Sequence, residues 1–309
     1  MLTPKAFTWP DLTRRGFLFA AVSAATRGVD GMRLEDTEGT KLSAYYGSRP
    51  LFEYRYDRSR PKPYIHPLFL PNGDPVTLDG PKDHVHHRGL MLAWSELDGF
   101  DFWGETNPAP HGQIVHQSFH NRVQNGKLEI VALNHWVADR ELRLVERRTI
   151  LARPPQAEGL WLEWMSEPTA PHGASLQTGK HVYNGLGIRF IPSMDGAEVL
   201  NERGTTSIEK ANGEQARWCS YFGPLARPGQ SGGVALFDHP SNPRHPTPFF
   251  VMNKPFGYLS AAPTFRGGFE LRSGETLTFR WGVLSYLGRP EAATLNHRFQ
   301  QWTSRGGHR

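Results

Sequence analysis

The densest group of chemically capable side chains lies in residues 83–90, which read Asp-His-Val-His-His-Arg-Gly-Leu. We call these residues the histidine segment. Imidazole titrates near neutrality, so it can give or take a proton or bind a metal. If the segment is an extended strand, His84, His86 and Arg88 project to one face, while Val85 and His87 project to the other. The segment is therefore the first candidate site.

Two other interpretations of the histidine segment stay open. The spacing of His84 and His86 is found in metal sites, but it supplies only two of the ligands that a divalent metal requires. No other cofactor is indicated. The second alternative is structural, with histidines that hydrogen-bond backbone carbonyls in a crowded loop. Beyond the segment, Glu105 is the candidate catalytic carboxylate, and Trp94 and Trp103 are the candidate stacking residues.

A second polar cluster spans residues 179–190. On an extended strand, His181, Tyr183 and Arg189 share a face. Glycine within a strand often marks a bulge or a close approach, so Gly185 and Gly187 fit either a ligand-lining strand or a bend that serves packing alone.

We expect His86 and His181 to be the general acid and base. Arg88 and Arg189 would bind a uronate carboxylate or stabilise an oxyanion, while His84, His87, Tyr183 and Asn184 would contact the ligand.

A third cluster, residues 237–248, contains four prolines that stiffen it. Proline fixes its own backbone angle, so such a loop can present polar groups with little loss of entropy on binding. Its candidate ligand contacts are His239, Asn242 and His245. The alternative is a proline-rich connector whose polar side chains are simply hydrated.

The elements that must position these clusters are predicted to be strands. The 309 residues include 32 glycines, 25 prolines and 12% aromatic residues, a composition that suits turns and half-buried strands. Short runs with a period of two recur along the chain, and Asn-Gly or Asp-Gly turns lie between several of them. The predicted strands are residues 32–35, 51–56, 127–136, 142–151, 160–165, 182–190, 233–237, 249–252 and 276–286.

This pattern predicts an all-β fold, a large antiparallel β-sandwich that ends in a short helix. Leu295, Phe299 and Trp302 recur at helical spacing, which predicts a helix over residues 290–302. A turn is expected near residues 95–102. We expect one sandwich domain over residues 31–302 and a tail over residues 303–309.

Residues 1–30 are predicted to be an export signal and linker. Arg14 and Arg15 precede a short run of small apolar residues, as in twin-arginine signals. The alternative is an ordinary N-terminal extension. No stretch reaches the ~18 apolar residues of a membrane span. We therefore expect an exported protein, periplasmic or extracellular, whose oligomeric state the sequence leaves open.

Charge and motifs exclude several other classes of protein. The formal net charge is +5, too small and too dispersed for a nucleic-acid-binding face. The single cysteine, Cys219, rules out an intramolecular disulfide and cysteine-based zinc sites. Phosphate-binding loops, nucleophile elbows and zinc-protease helices have no matching motif.

Four motifs together resemble a bacterial family known as PmoA-like, a domain of unknown function found mostly in exported proteins. They are residues 83–90, 101–105, 183–190 and 238–246. The methane-oxygenase label of that family is misleading here, since no membrane helices are present. Residues 271–281 also look like the last strands of galactose-mutarotase-like supersandwiches, which implies a concave sheet face that binds sugars through histidines and a carboxylate.

These observations lead to a functional hypothesis. Imidazole, guanidinium, amide and indole groups together suit a saccharide, because sugars present both apolar C–H faces and hydroxyls. We expect a carbohydrate-active enzyme, namely a lyase, hydrolase or epimerase, with a saccharide as its partner and neither nucleic acid nor membrane. The alternatives are a non-catalytic carbohydrate-binding module and a metal-dependent enzyme that uses His84 and His86.

Overall fold

The computed structural model describes residues 26–27, 31–105 and 110–304, and these form two large antiparallel sheets. In chain order the strands are β1 (Thr26–Arg27), β2 (Met32–Thr37), β3 (Lys41–Tyr46), β4 (Arg49–Arg55), β5 (Tyr64–Leu68), β6 (Leu90–Ala93), β7 (Gln113–Gln124), β8 (Lys127–Ala138), β9 (Glu141–Ala152), β10 (Leu160–Thr169), β11 (Leu176–Gln177), β12 (Gly185–Arg189), β13 (Glu198–Asn201), β14 (Trp218–Pro224), β15 (Ser231–Asp238), β16 (Phe249–Met252), β17 (Tyr258–Ala261), β18 (Glu270–Leu271) and β19 (Phe279–Leu287). The helices are α1 (Ile208–Ala211) and α2 (Ala292–Ser304), with a 3₁₀ turn at Pro192–Met194.

The first sheet has nine strands in the order β1-β2-β3-β4-β5-β6-β12-β17-β16. The second has eight, in the order β13-β14-β15-β19-β10-β9-β8-β7, and β11 pairs separately with β18. Alternate residues of each strand point to opposite faces. One face of each large sheet therefore contributes to a shared apolar core, to which Leu34, Leu90, Leu162 and Val283 belong.

The C-terminal helix covers the outer face of the eight-stranded sheet. Leu295, Phe299 and Trp302 of α2 pack there against Trp161 and Phe237, forming a second apolar cluster. The predicted all-β sandwich and its C-terminal helix are therefore confirmed, with the helix displaced by two residues from the predicted range. Among the described residues, no helix is long and apolar enough to span a membrane.

Most predicted strands form, with shifts at their ends. Asn125 and Gly126 join β7 to β8 with φ values of 51° and 67°, the left-handed conformation that a tight hairpin turn requires. The strand predicted from residue 182 begins only at Gly185, and the one predicted from residue 276 begins at Phe279. Strands without a clean period of two, such as β6 and β17, were not predicted because all their residues are buried.

The histidine segment is not a strand, so the predicted alternation of its side chains is wrong. It forms two consecutive turns in which the amide of His84 donates to the carbonyl of Pro81 and the amide of His87 donates to the carbonyl of His84. Turns project side chains in directions that a period of two does not describe. His84, His86 and His87 consequently gather on one side.

Candidate active site

The candidate site lies on the outer face of the nine-stranded sheet. Tyr258 of β17 pairs with Met252 of β16 on one side and with Arg189 of β12 on the other. In the adjacent row, Ser260 lies between Phe250 and Gly187. Directly paired residues share a face of a sheet. Because Leu186 and Leu259 turn into the core, these rows face away from it and form the floor of a cavity.

The cavity encloses about 350 Å³, at the small end of the range of small-molecule sites. Its walls combine three imidazoles with a group of aromatic rings and a single carboxylate. The lining residues are His84, His86, His87, Asp101, Trp103, Gly104, Tyr183, Phe250, Met252, Phe256 and Tyr258. The histidine segment and the 181–189 segment are thus brought together at one concave surface.

The three imidazoles of the cavity pack against one another. The rings of His84 and His87 are stacked with centroids 4.8 Å apart, and His86 meets His87 edge-on at 4.6 Å. Tyr258 lies 4.9 Å from His87 on the floor, and Phe256 lies 4.5 Å from His84. This packing fixes the ring positions with little freedom to rotate.

His86 makes no hydrogen bond to any part of the chain that the structure describes, yet it lines the cavity. Burial lowers the pKa of His86 to about 4, and the nearby Lys62 cation adds to the effect. The ring is therefore neutral at pH 7 and has one nitrogen that can accept a proton. A neutral imidazole with open nitrogens can accept a proton as a general base.

The neighbouring His87 is oriented by Arg189. A guanidinium N–H of Arg189 donates to Nδ1 of His87 at 3.2 Å, because a guanidinium has no acceptor. The proton of the neutral ring must then lie on Nε2. Burial lowers the pKa of His87 to about 2, with further contributions from His86, His84 and Arg189. His87 is thus a neutral ring that offers an N–H donor.

Arg189 itself is held behind the cavity wall. It pairs with Asp83 at 3.3 Å and lies 3.7 Å above the ring of Phe256, whose other contacts are with His84 and His87. It does not line the cavity. The predicted ligand contact by Arg189 is therefore replaced by a positioning contact to His87.

Arg88 of the histidine segment and Glu105 neutralise each other. Two N–H groups of the Arg88 guanidinium donate to the two carboxylate oxygens of Glu105, and Lys62 donates to the same carboxylate at 2.9 Å. Arg88 also pairs with Asp79 at 3.3 Å, which accepts from Tyr64. Neither Arg88 nor Glu105 lines the cavity. Both were predicted to act on the ligand, and the structure instead places them in a buried ion network.

The electrostatics of this network keep Glu105 ionised. Burial alone would raise its pKa, but hydrogen bonds from Arg88 and Lys62 outweigh burial and hold the pKa below its usual value. Lys62 is fully buried, which lowers its pKa, while its contact with Glu105 opposes the shift. A carboxylate held in this way cannot supply a proton at neutral pH, so it does not fit the role of general acid.

A comparison that covers most of the chain shows which protein family it belongs to. Residues 41–300 match a family of unknown function, DUF6807. The chain belongs to this family. The match agrees with the expected domain of unknown function, and the resemblance to the PmoA-like family remains an expectation from the motifs.

Two further comparisons concern individual proteins. The crystal structure of a mutant of the heparan sulfate lyase HepC from Pedobacter heparinus is similar to this DUF6807 chain with 10% sequence identity and a TM-score of 0.42. The alignment covers 87% of this chain and 37% of the lyase chain, so this chain spans little more than a third of the lyase. No curated protein matches the sequence.

The two tryptophans predicted to stack on a ligand lie in different environments in the DUF6807 chain. Trp94 is only 2% exposed and packs between Trp136 and Phe279 in the core, so it is not accessible for stacking. Trp103 lines the cavity and lies 4.8 Å from the ring of Tyr183. The interpretation of Trp94 is therefore wrong, whereas Trp103 and Tyr183 are in place for ligand contact.

His181 and Asn184 lie beside the cavity rather than in its wall. Nε2 of His181 is 3.4 Å from a carboxylate oxygen of Glu96, and both side chains are partly exposed. Asn184 is buried, and its side-chain oxygen accepts from the amide of Ser95. These contacts anchor the segment that carries Tyr183, and they leave His181 outside the group of converging imidazoles.

The third predicted segment does not reach this cavity. Asp238 is buried and accepts from Asn242 at 2.7 Å, while the ring of His245 lies 2.7 Å from its other oxygen. His239 packs at 4.8 Å against Trp302 of α2. The expectation that His239, Asn242 and His245 contact the same ligand is wrong, because their partners are the eight-stranded sheet and α2.

The metal interpretation lacks a ligand set. Among residues 26–27, 31–105 and 110–304, no three His, Cys, Asp or Glu side chains are grouped as metal ligands. Nδ1 of His84 is instead 3.0 Å from Asp83, and the ring of His86 is turned edge-on to that of His84. The described residues therefore do not supply the set of ligands that a resident divalent ion requires.

Several residues that line the cavity were not predicted from the sequence. Tyr258, Phe250, Met252 and Phe256 come from the β16–β17 hairpin, which has no polar motif to mark it. Asp101 was part of a noted motif, and its Oδ1 accepts from the amides of Trp103 and Gly104. The glycine at position 187 was a usable signal, because a glycine on a ligand-facing strand implies a close neighbour.

Proposed function

We propose that this chain is an exported carbohydrate-active enzyme that binds a saccharide in the cavity, with His86 as the group that transfers the proton. The observation that carries the proposal is the environment of His86. It is a neutral imidazole without a hydrogen-bond partner among the described residues, and it lies in a cavity walled by aromatic rings. In this proposal residues 1–30 are the export signal and linker, residues 31–302 are one domain, and the motifs relate the chain to PmoA-like proteins.

The cavity wall has two kinds of surface that match the two kinds of surface on a sugar. Trp103, Tyr183 and Phe256 offer apolar ring surfaces, against which the C–H face of a pyranose can pack. His86, His87 and Tyr258 offer ring nitrogens and a phenol group for hydroxyls. A pocket that is mostly apolar with a few convergent polar groups is typical of small-molecule sites.

The polar groups of the cavity divide into an acceptor and donors. His86 has a nitrogen that can take a proton from a hydroxyl, from water or from a carbon adjacent to a carbonyl. His87 presents Nε2–H, since Arg189 occupies its Nδ1. Burial raises the pKa of Tyr258 well above its ordinary value, so its hydroxyl keeps its proton. One base and two fixed donors are sufficient for proton transfer in a hydrolase, a lyase or an epimerase.

The test is a screen of oligosaccharides read by mass spectrometry and by binding calorimetry. The panel contains neutral, oxidised and uronate sugars. We expect one class to bind and to give a new product, and we expect His86→Gln to lose turnover by at least about a hundredfold with an unchanged melting temperature. His120→Gln is the matched control, because His120 is exposed on β7, in the other sheet.

The outcomes of this screen are distinct. Binding without any product, in the wild type as in His86→Gln, would indicate a carbohydrate-binding module and overturn the catalytic part. Failure of every saccharide to bind would overturn the proposal as a whole. If His86→Gln loses activity and its melting temperature also falls clearly, the result would indicate a structural histidine.

His181 provides a second contrast. It pairs with Glu96 outside the cavity wall, so we expect His181→Gln to retain most of the turnover that His86→Gln loses. An equal loss in both variants would return His181 to the catalytic pair.

Export is tested separately, because it depends on residues outside those that the structure describes. Arg14 and Arg15 precede the short apolar run. We expect substitution of both by lysine to keep the full-length chain in the cytoplasm of a bacterial host with a twin-arginine pathway. Unchanged export of that variant would argue against this signal.

A further inference from the structure

We infer that the saccharide taken by this cavity is uncharged, and that uronates and sulfated sugars are discriminated against. The inference rests on the proposed function and gives it a substrate class. It also replaces the expectation that Arg88 and Arg189 bind a uronate carboxylate.

The first support is the composition of the wall. No lysine or arginine is among the described residues that line the cavity. The one acidic side chain there, Asp101, has an Oδ1 that accepts hydrogen bonds from two backbone amides. An anionic ligand group would therefore meet no fixed positive charge among the described residues of the wall.

The second support is that the nearest cations are already paired. Lys62 donates to Glu105 and to the carbonyl of Trp103. Arg88 is held by Glu105 and Asp79. These side chains are largely buried, so neither cation can turn to a ligand without breaking a buried ion pair, which is strongly unfavourable.

The third cation, Arg189, is shielded in a different way. Its two terminal nitrogens contact His87 and Asp83, its Nε is buried, and one face of the guanidinium is covered by Phe256. A ligand carboxylate would have to displace the Phe256 ring or the His87 ring to reach it. Among the described residues of this network, the three cations Lys62, Arg88 and Arg189 are accompanied by the four carboxylates of Asp79, Asp83, Asp101 and Glu105. The local field therefore does not favour an anion.

The third support is the neutrality of the two central imidazoles. His86 and His87 are kept uncharged by burial, so they offer hydrogen bonds rather than a counter-ion. A buried charge without a partner costs far more than a buried hydroxyl that is hydrogen-bonded. Hydroxyls of a neutral sugar find an acceptor at His86 and donors at His87 and Tyr258, whereas a carboxylate or sulfate loses its hydration without compensation.

The experiment compares sugars that differ only in charge. The probes are glucose with glucuronate, galactose with galacturonate, mannose with mannuronate, and N-acetylglucosamine with its 6-sulfate, together with the corresponding disaccharides. Binding to the purified protein is measured by ligand-observed NMR and calorimetry at pH 7. In the pair that binds best, we expect the neutral member to bind at least about tenfold more tightly, equivalent to about 1.4 kcal/mol.

A variant that supplies the missing cation sharpens the test. Met252 lines the cavity from β16 and is only partly buried, so a lysine of similar length can replace it there. We expect Met252→Lys to shift the ratio of affinities toward the anionic member by at least about tenfold. Met165→Lys, on the eight-stranded sheet, is the matched control and should leave the ratio unchanged.

Failure of this inference can be told apart from failure of the proposed function. If the uronate or the sulfated sugar binds as tightly as its neutral partner in the wild type, the inference is overturned while saccharide binding stands. If Met252→Lys folds and leaves the ratio unchanged, the lack of a cation is not what sets the preference, and the inference fails. If no member of any pair binds, both fail together.

Discussion

The phenol group of Tyr258 fills the space directly above Gly187. A β-carbon at residue 187 would lie 2.1 Å from the Tyr258 hydroxyl oxygen and 2.8 Å from the ring carbon that bears it. The two residues lie on adjacent strands, β12 and β17, on the face that carries the cavity. The absence of a side chain at one position thus sets the depth at which the phenol of the other lies in the floor.

Gly187→Ala tests this relationship. Tyr258 is packed against His87, Trp103 and Phe250, so a shifted ring would have to displace these neighbours or enter the cavity. We expect the substitution to lower the free energy of unfolding by about 1–3 kcal/mol, as overpacking does, and to weaken ligand binding. Chemical denaturation and calorimetry measure the two effects.

Gly267→Ala is the matched control for that prediction. A β-carbon at residue 267 would meet only a side-chain nitrogen of Arg244, at 3.9 Å. We expect a change in stability within about 0.5 kcal/mol. Equal losses of stability in the two variants would show that the contact with Tyr258 is not the cause.

Tyr258→Phe separates the function of the phenol hydroxyl from its packing. The hydroxyl is buried and has no hydrogen-bond partner among the described residues, so its removal takes away an uncompensated polar group. We expect an unchanged or slightly higher melting temperature together with weaker ligand binding. Unaltered affinity in this variant would remove Tyr258 from the proposed donors.

Glu105→Gln tests whether Glu105 is structural or catalytic. The substitution leaves Lys62 and Arg88 buried with a neutral partner, and breaking a buried pair typically costs about 3–5 kcal/mol. We expect that loss in the free energy of unfolding, measured by denaturant titration. Glu198→Gln is the control, because its pair with Arg289 is exposed and such pairs contribute about 0–1 kcal/mol. Lost turnover with unchanged stability in Glu105→Gln would instead support the catalytic carboxylate expected from the sequence.

The stability of the protein should fall as the pH falls below about 6.5. An imidazole in an unfolded chain has a pKa of about 6.5, whereas burial lowers the pKa to about 4 for His86 and about 2 for His87 in the folded protein. Between these values the unfolded chain binds protons that the folded chain does not, which favours unfolding. The stabilising contribution is complete above pH 6.5 and is lost toward pH 4 for His86 and toward pH 2 for His87.

Denaturant titrations between pH 7 and pH 4.5 measure this dependence. The 6%-exposed His87 can contribute a slope of up to about 1.4 kcal/mol per pH unit. We expect His87→Gln to reduce the slope, whereas the exposed His120→Gln should leave it unchanged. Equal slopes in the wild type and His87→Gln would mean that His87 is not held neutral by the fold.

The sequence by itself determined the class of fold and most of the long strands. A period of two in residues 127–136 and 142–151 reflects a local property, because one face of β8 and β9 is buried and the other is hydrated. The Asn125-Gly126 turn and the helical spacing of Leu295, Phe299 and Trp302 are local in the same sense. They need no knowledge of distant residues, so they were predicted correctly.

The sequence also marked residues 83–88 as unusual, because six neighbouring positions hold three histidines, an aspartate and an arginine. It could not decide which of these side chains meet a ligand. Arg88 pairs with the carboxylate of Glu105, 17 positions away in the sequence, and Arg189 pairs with the imidazole of His87, 102 positions away. The pairing of a charged group depends on which partner the fold brings within reach, and sequence spacing does not encode that distance.

Only the tertiary structure decided the membership of the cavity. Tyr258, Phe250 and Met252 have ordinary apolar neighbours in the sequence, and they become cavity residues because β16 and β17 pair beside β12. His239 and His245 have a motif as suggestive as that of His86, yet the chain takes them to Asp238 and α2. Local patterns reflect burial of one face of an element, whereas a site depends on which faces of distant elements come together.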